Sequence, residues 1–233
     1  MKMRRIFILC LLLAGLCAVM ATAADQSKDL RGVAKVTGTP VKTYLDINNI
    51  STVLKNDGIS DIDAQEQNSG LVFPKGSGKT AVFQSGFLWG GKVAGEIRVG
   101  GSSYRTGLQG GKILSPGIPE DPNLAKNRIY RVRPDYATAS LLSEASEQLE
   151  DIETIRAQYA ADWNEWPVAD GAPYNDVDHN GSYDPAIDVP GFPGADQTIW
   201  FVANDLNSGN TTNLYGSNPI GLEMQVTIWA YSQ

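Results

Sequence analysis

Leu71-Val72-Phe73, Ala81-Val82-Phe83, Phe87-Leu88-Trp89 and Glu96-Ile97-Arg98-Val99 are short apolar runs within residues 71–113, punctuated by Gly90-Gly91, Gly100-Gly101 and Gly110-Gly111. Paired glycines reach the positive φ angles of tight hairpin turns, and this spacing predicts a meander of short antiparallel strands. Phe83, Phe87, Trp89 and Tyr104 all need burial, which excludes a disordered glycine-rich linker. The fold class is therefore mainly β (α+β), an antiparallel β-sandwich-like sheet.

Upstream, the apolar positions from Tyr44 to Leu54 read as strand, closed by the turn signal Asn56-Asp57-Gly58. Ser60 to Gly70 contains Asp61 and Asp63 but lacks the further oxygens of a metal loop, so a solvated loop is expected there. Gly76-Ser77-Gly78-Lys79-Thr80 ends like a nucleotide-binding loop. The glycine such a loop needs five residues before its Gly-Lys-Thr is Phe73, and the apolar run Ala81-Val82-Phe83 continues as strand, so a polar hairpin turn is expected.

Downstream, Pro116, Pro119, Pro122 and Pro134 rule out a long regular element across 115–134. One long helix follows. Leu142, Ala145, Leu149, Ile152, Ile155, Tyr159 and Trp163 recur every three or four residues, with Ser143 as its N-cap and Pro167 as its end. Thr198 to Val202 is a strand, Asn204 to Asn213 a polar loop, and Leu222 to Tyr231 a half-buried strand. In the last of these Leu222, Met224, Val226, Ile228 and Ala230 face one way, and Glu223, Gln225 and Thr227 the other. Only two residues follow Tyr231, which suggests a module that continues in a longer chain.

Lys2, Arg4 and Arg5, the apolar run Ile6 to Met20 and the small residues Ala21-Thr22-Ala23 form a Sec-type secretory signal peptide, residues 1–23. Residues 24–40 are polar and small and read as a flexible lead-in to a β-rich module at 41–233. The apolar run is short for a membrane span, and Leu16 before Cys17 argues against lipidation. Removing the signal removes both cysteines and three positive charges, taking the net charge from −7 to −10. That balance speaks against nucleic acid as a partner and suits a chain that binds cations.

The chemistry concentrates at Asn175-Asp176-Val177-Asp178-His179-Asn180-Gly181-Ser182-Tyr183-Asp184-Pro185-Ala186-Ile187-Asp188. Alternate oxygen-bearing side chains followed by a glycine can aim six to eight ligands at one hard cation. The candidate calcium ligands are Asp176, Asp178, Asn180, Ser182, Asp184 and Asp188. Counting Asp176 as position one fits an EF-hand at positions one, three, five, six and nine. Position twelve is Ile187, and Pro185 and Pro190 oppose an exiting helix, so a standard EF-hand is excluded. The spacing resembles the calcium loops of thrombospondin type 3 repeats and dockerin modules, with Asn180 in place of the third aspartate. His179, the chain's single histidine, is expected to face solvent, because zinc needs more His or Cys than the exported chain would hold.

Tyr44-Leu45-Asp46-Ile47-Asn48-Asn49-Ile50, Gly70-Leu71-Val72-Phe73-Pro74-Lys75-Gly76 and Gly86-Phe87-Leu88-Trp89-Gly90-Gly91 together resemble the N-terminal region of large surface proteins exported by the type IX secretion system. The resemblance implies a secreted or cell-surface location. The sequence offers no Ser-His-Asp or Cys-His set and no Gly-x-Ser-x-Gly, so the expectation is a structural or adhesive module stabilised by calcium. Extracellular polysaccharide or other surface proteins are its expected partners. The alternative is a carbohydrate-binding or catalytic portion of a larger secreted hydrolase, with Trp163, Trp166 or Trp200 stacking on sugar.

Overall fold

The computed structural model describes residues 41–62 and 69–232; the signal peptide, the lead-in and Asp63 lie outside them. The chain forms β1 (Lys42–Leu45), β2 (Thr52–Lys55), β3 (Leu71–Val72), β4 (Thr80–Val82), β5 (Phe87–Val93), β6 (Glu96–Ser102), β7 (Gln109–Gly110), β8 (Ile113–Ser115), β9 (Ile118–Pro119) and β10 (Tyr130–Val132). Helices α1 (Leu142–Gln148) and α2 (Ile152–Asn164) come next, followed by β11 (Tyr174–Asn175), β12 (Val189–Pro190), β13 (Gln197–Asn204), α3 (Ser208–Tyr215) and β14 (Glu223–Ala230). The class is mainly β with antiparallel pairing throughout. No helix among the described residues is long and apolar enough to cross a membrane.

The organising element is β13, whose eight residues are all buried. It pairs with β14 along its whole length, and on its other edge with β10 and β7. A strand covered on both faces has no solvent side, which explains why Thr198 to Val202 reads as a continuous run rather than an alternation. Ile199, Phe201 and Ala203 form one core with Leu54, Leu108, Ile129 and Val226, against which Leu45, Phe87 and Trp89 pack. Trp200 and Val202 form the opposite core with Tyr130, Val132, Trp166 and Ala172. Each fully buried Ile or Phe here contributes about 1.5–3 kcal/mol.

The meander expected over 71–113 is instead a set of separate hairpins, β3–β4, β5–β6 and β8–β9. The glycine pairs at 90–91 and 100–101 lie inside β5 and β6, and the turn between these strands is Ala94-Gly95, with φ of 51° and 88°. Two consecutive positive φ angles match the twist of a two-residue hairpin. Gly100 serves a different purpose. It pairs with Trp89 across the strands, and a Cβ on it would lie 2.5 Å from the indole ring, so the ring occupies the space a side chain would fill. The polar loop at 74–78 does turn β3 into β4, and no helix follows it.

Three further expectations are corrected. Tyr44 to Leu54 is a hairpin rather than one strand: Asp46 to Ser51 turn between β1 and β2. Asp61 is buried and accepts the Thr52 hydroxyl at 2.6 Å, so it is not solvated. The single long helix is two. Leu149 ends α1 in the left-handed region at φ 52° and is 74% exposed, and Asp151 caps α2 by accepting the Thr154 N–H at 2.8 Å. No side chain caps α1, so Ser143 does not take that role. The polar stretch 204–213 holds most of α3, capped by Asn207.

Arginine and carboxylate residues fill the space between α1, α2, β10 and the β1–β2 turn. Arg128, Arg131, Arg133, Asp46, Glu144 and Asp162 are all buried. Asp162 accepts from Arg128 Nε at 3.0 Å and from the Arg131 N–H at 2.9 Å. Glu144 pairs with Arg133 and accepts the Tyr159 hydroxyl at 2.8 Å. Asp46 accepts from Gln148 at 2.9 Å and Gln197 at 3.0 Å, with Arg131 Nη1 3.8 Å away. Burial pushes the Asp162 carboxyl up to about 6, against the pull of Arg128.

Candidate metal centre

The loop at 176–188 enters and leaves through β11 and β12, paired as Tyr174 with Pro190 and Asn175 with Val189. Closing the loop at its base fixes the distance between its ends. Inside, His179 and Gly181 take positive φ angles of 60° and 75°, which fold the chain back on itself. Gly181 is the residue type that does so without steric cost.

The fold brings together three of the four expected aspartate ligands. One carboxylate oxygen each from Asp176, Asp178 and Asp188 lies within 4.8 Å of the other two. Asp176 accepts the N–H of Gly181 at 2.8 Å and of Asn180 at 3.1 Å. The Gly181 amide foremost holds its carboxyl below the usual carboxylate range. Asp188 is 2% exposed, and its two oxygens accept the N–H of Val177 at 2.9 Å and of Asp184 at 2.7 Å. It spans the loop from within. Asp178 is exposed and accepts from Asn180 Nδ2 at 2.8 Å.

Asp184 lies outside this acidic group, and Asn180 and Ser182 adjoin it through hydrogen bonds. Asn180 Oδ1 accepts the Ser182 N–H at 2.7 Å, and Asp184 Oδ1 accepts the Ala186 N–H at 2.9 Å. His179 is exposed, as expected of a residue outside the ligand set. No lysine or arginine forms an ion pair with any aspartate of the loop among the described residues.

Aromatic side chains fasten the loop to the helix and the core, a feature the ligand pattern did not signal. Tyr183 donates its hydroxyl to the Trp163 carbonyl at 2.5 Å, and Trp163 Nε1 donates to the Pro185 carbonyl at 2.9 Å. Tyr183 also meets Tyr174 edge-on, with ring centroids 5.6 Å apart. Tyr183, inside the loop sequence, was the one readable hint. The sugar-stacking surface expected of Trp166 and Trp200 is overturned: both are buried, Trp200 at 1% exposure, and Trp163 is engaged with the loop. Other aromatic side chains are open to solvent: Phe83 and Tyr104 are exposed, against the burial expected of them, and Phe192 stacks on Trp229 with centroids 4.2 Å apart.

Comparison with protein-family models, curated protein sequences and solved structures returned no match.

Proposed function

We propose that this chain is a secreted or cell-surface structural or adhesive module whose 176–188 loop is held closed by calcium. The observation that carries the reading is the convergence of Asp176, Asp178 and Asp188 with no protein cation among them. Like charges so placed oppose the fold until a cation joins them. An all-oxygen set on a partly exposed loop suits a hard cation, and calcium accepts the irregular geometry such a loop offers better than magnesium does. Asn180, Ser182, Asp184 and water would complete the shell.

Asp188 acts as ligand and scaffold at once, since its oxygens already fix the amides at 177 and 184. The Trp163 and Tyr183 hydrogen bonds pass the closed loop's rigidity to the end of α2. The ion is thus a staple between helix and sheet, replacing the disulfide that a signal-cleaved chain without cysteine could not form. The sandwich-like reading belongs to the same proposal: the β1–β2 and β5–β6 hairpins form a layer facing the β13 sheet across the core of Leu54, Ile199 and Phe201.

Calorimetric titration with calcium chloride tests the proposal directly. One site with a dissociation constant of about 0.1–1 mM is expected, as extracellular modules show, and Asp178→Ala should abolish it. Absence of binding heat together with an unchanged melting curve in millimolar calcium would defeat the reading.

A further inference from the structure

The strand β14 closes the four-stranded sheet on one side, and among the described residues nothing pairs with its outer edge. Leu222 gives its carbonyl to the Asp205 N–H at 3.0 Å, which sets the alternation of the β13–β14 ladder. Residues 224, 226, 228 and 230 therefore point their backbone groups at β13, and Glu223, Gln225, Thr227 and Trp229 point theirs away. None of those four outward N–H or C=O groups has a hydrogen-bond partner among the described residues.

Open edges of this length are normally blunted by lysine, proline, an inward charge or a bulge. The strand Glu223–Ala230 has no lysine or proline, and its register with β13 runs without a shift over all eight residues. The single blunting device is an inward charge at the strand's first residue, Glu223, whose carboxylate accepts the Ile113 N–H at 2.6 Å, and Met224 to Ala230 carry none. At the other end of the edge the exposed Phe192–Trp229 stack offers an apolar surface, with Phe192 at 37% and Trp229 at 42% exposure.

We propose that two copies of this chain associate through β14, antiparallel about a two-fold axis at Val226, extending the sheet across both molecules. In this register Glu223 faces Trp229 of the second copy and Gln225 faces Thr227, so all four outward residues are paired with no overhang. A closed, isologous contact of this kind satisfies both edges together. Charge points to self-pairing. The two Glu223 side chains are six residues apart, about 20 Å, which exceeds a Debye length of about 8 Å at physiological salt. A chain with 26 acidic and 19 basic residues thus brings a nearly neutral strand to its own copy. The inference is independent of any metal in the 176–188 loop.

The test is sedimentation equilibrium of the full chain across a concentration series, with residue-resolved amide hydrogen exchange at both ends of the series. A reversible monomer–dimer equilibrium is expected. The amides of Glu223, Gln225, Thr227 and Trp229 should gain protection with concentration, while those of Met224, Val226, Ile228 and Ala230 stay protected throughout. Thr227→Pro removes an outward N–H and leaves the β13 ladder intact, so it should weaken the dimer by about 100-fold with the inner amides unchanged. If that variant does not fold, exchange on the unaltered chain decides. A strict monomer, a dimer whose four outward amides stay unprotected, or outward amides protected in the dilute monomer by a segment of the same chain would each overturn the proposal. So would an edge that fills only on addition of another protein's strand.

Discussion

Asp46, Glu144 and Asp162 lie buried beside Arg128, Arg131 and Arg133, whereas Asp176, Asp178 and Asp188 gather on a partly exposed loop with no basic side chain paired to them. Both clusters set carboxylates close together. The interior cluster carries its own cations on and beside β10, because water cannot reach in to screen it, and Gln148, Gln197 and Tyr159 supply the remaining hydrogen bonds. The loop cluster relies on backbone amides and leaves its charge uncompensated. A group of carboxylates that brings its own counter-ions is architecture; we propose that the loop, which brings none, takes its cation from solution.

The largest test of this contrast removes an interior cation. Arg131→Ala leaves Asp46 and Glu144 buried without it and strips the guanidinium from the Tyr159 face, where it sits 4.5 Å from the ring centroid. Denaturant titration should show a loss of about 3–5 kcal/mol, independent of calcium. The second test acts on the loop: calcium at one hundred times its dissociation constant should add about 2.7 kcal/mol, and Asp178→Ala should erase that gain. Calcium should add the same increment to Arg131→Ala as to the parent chain; if Arg131→Ala lost or enlarged that increment, the two clusters would be one coupled system and the contrast would fail.

pH separates the clusters by sign. Asp162, raised to about 6 by burial, keeps a proton in the folded chain that the unfolded chain has already released above its ordinary value. Its contribution is complete below about pH 4 and is lost as pH rises through 6, on the order of 3 kcal/mol. Asp176, held low by the Gly181 amide, does the reverse: its contribution is present above the ordinary carboxylate value and is lost as pH falls through the folded one. Asp162→Asn should remove the slope between pH 4 and 6 seen in stability measurements and leave the acid limb of Asp176 in place. The smallest expected effect is at the cap of α2, the helix that touches both clusters through Asp162 and Trp163. Asp151→Ala should cost about 1 kcal/mol and do so equally with and without calcium.

The sequence showed the loop and both long strands plainly, because each has a local signature. Alternate aspartates before a glycine, a buried β-branched run and a period of two are all written in neighbouring residues. What it hid depends on partners distant along the chain. The fully buried β10 reads as part of a proline-rich connection because Arg128, Arg131 and Arg133 look like surface residues until Asp162, Glu144 and Asp135 are seen beside them. The periodic stripe over 142–163 concealed a break because Leu149 fits the spacing yet ends α1, while the capping pair Asp151 and Thr154 was the local sign of a second start. Glycine pairs signal turns by residue type alone. In the fold, two of those pairs sit in strands, and one of their members meets an indole.

That meeting of Gly100 and Trp89 sets a rule for how the molecule can change. A methyl group at 100 would lie 2.5 Å from the ring, so Gly100→Ala is tolerated only if position 89 shrinks as well, and a smaller residue at 89 opens a hole that only a larger one at 100 could refill. The two positions form a single unit of variation. Across any set of diverged copies of this chain, they should change together or not at all.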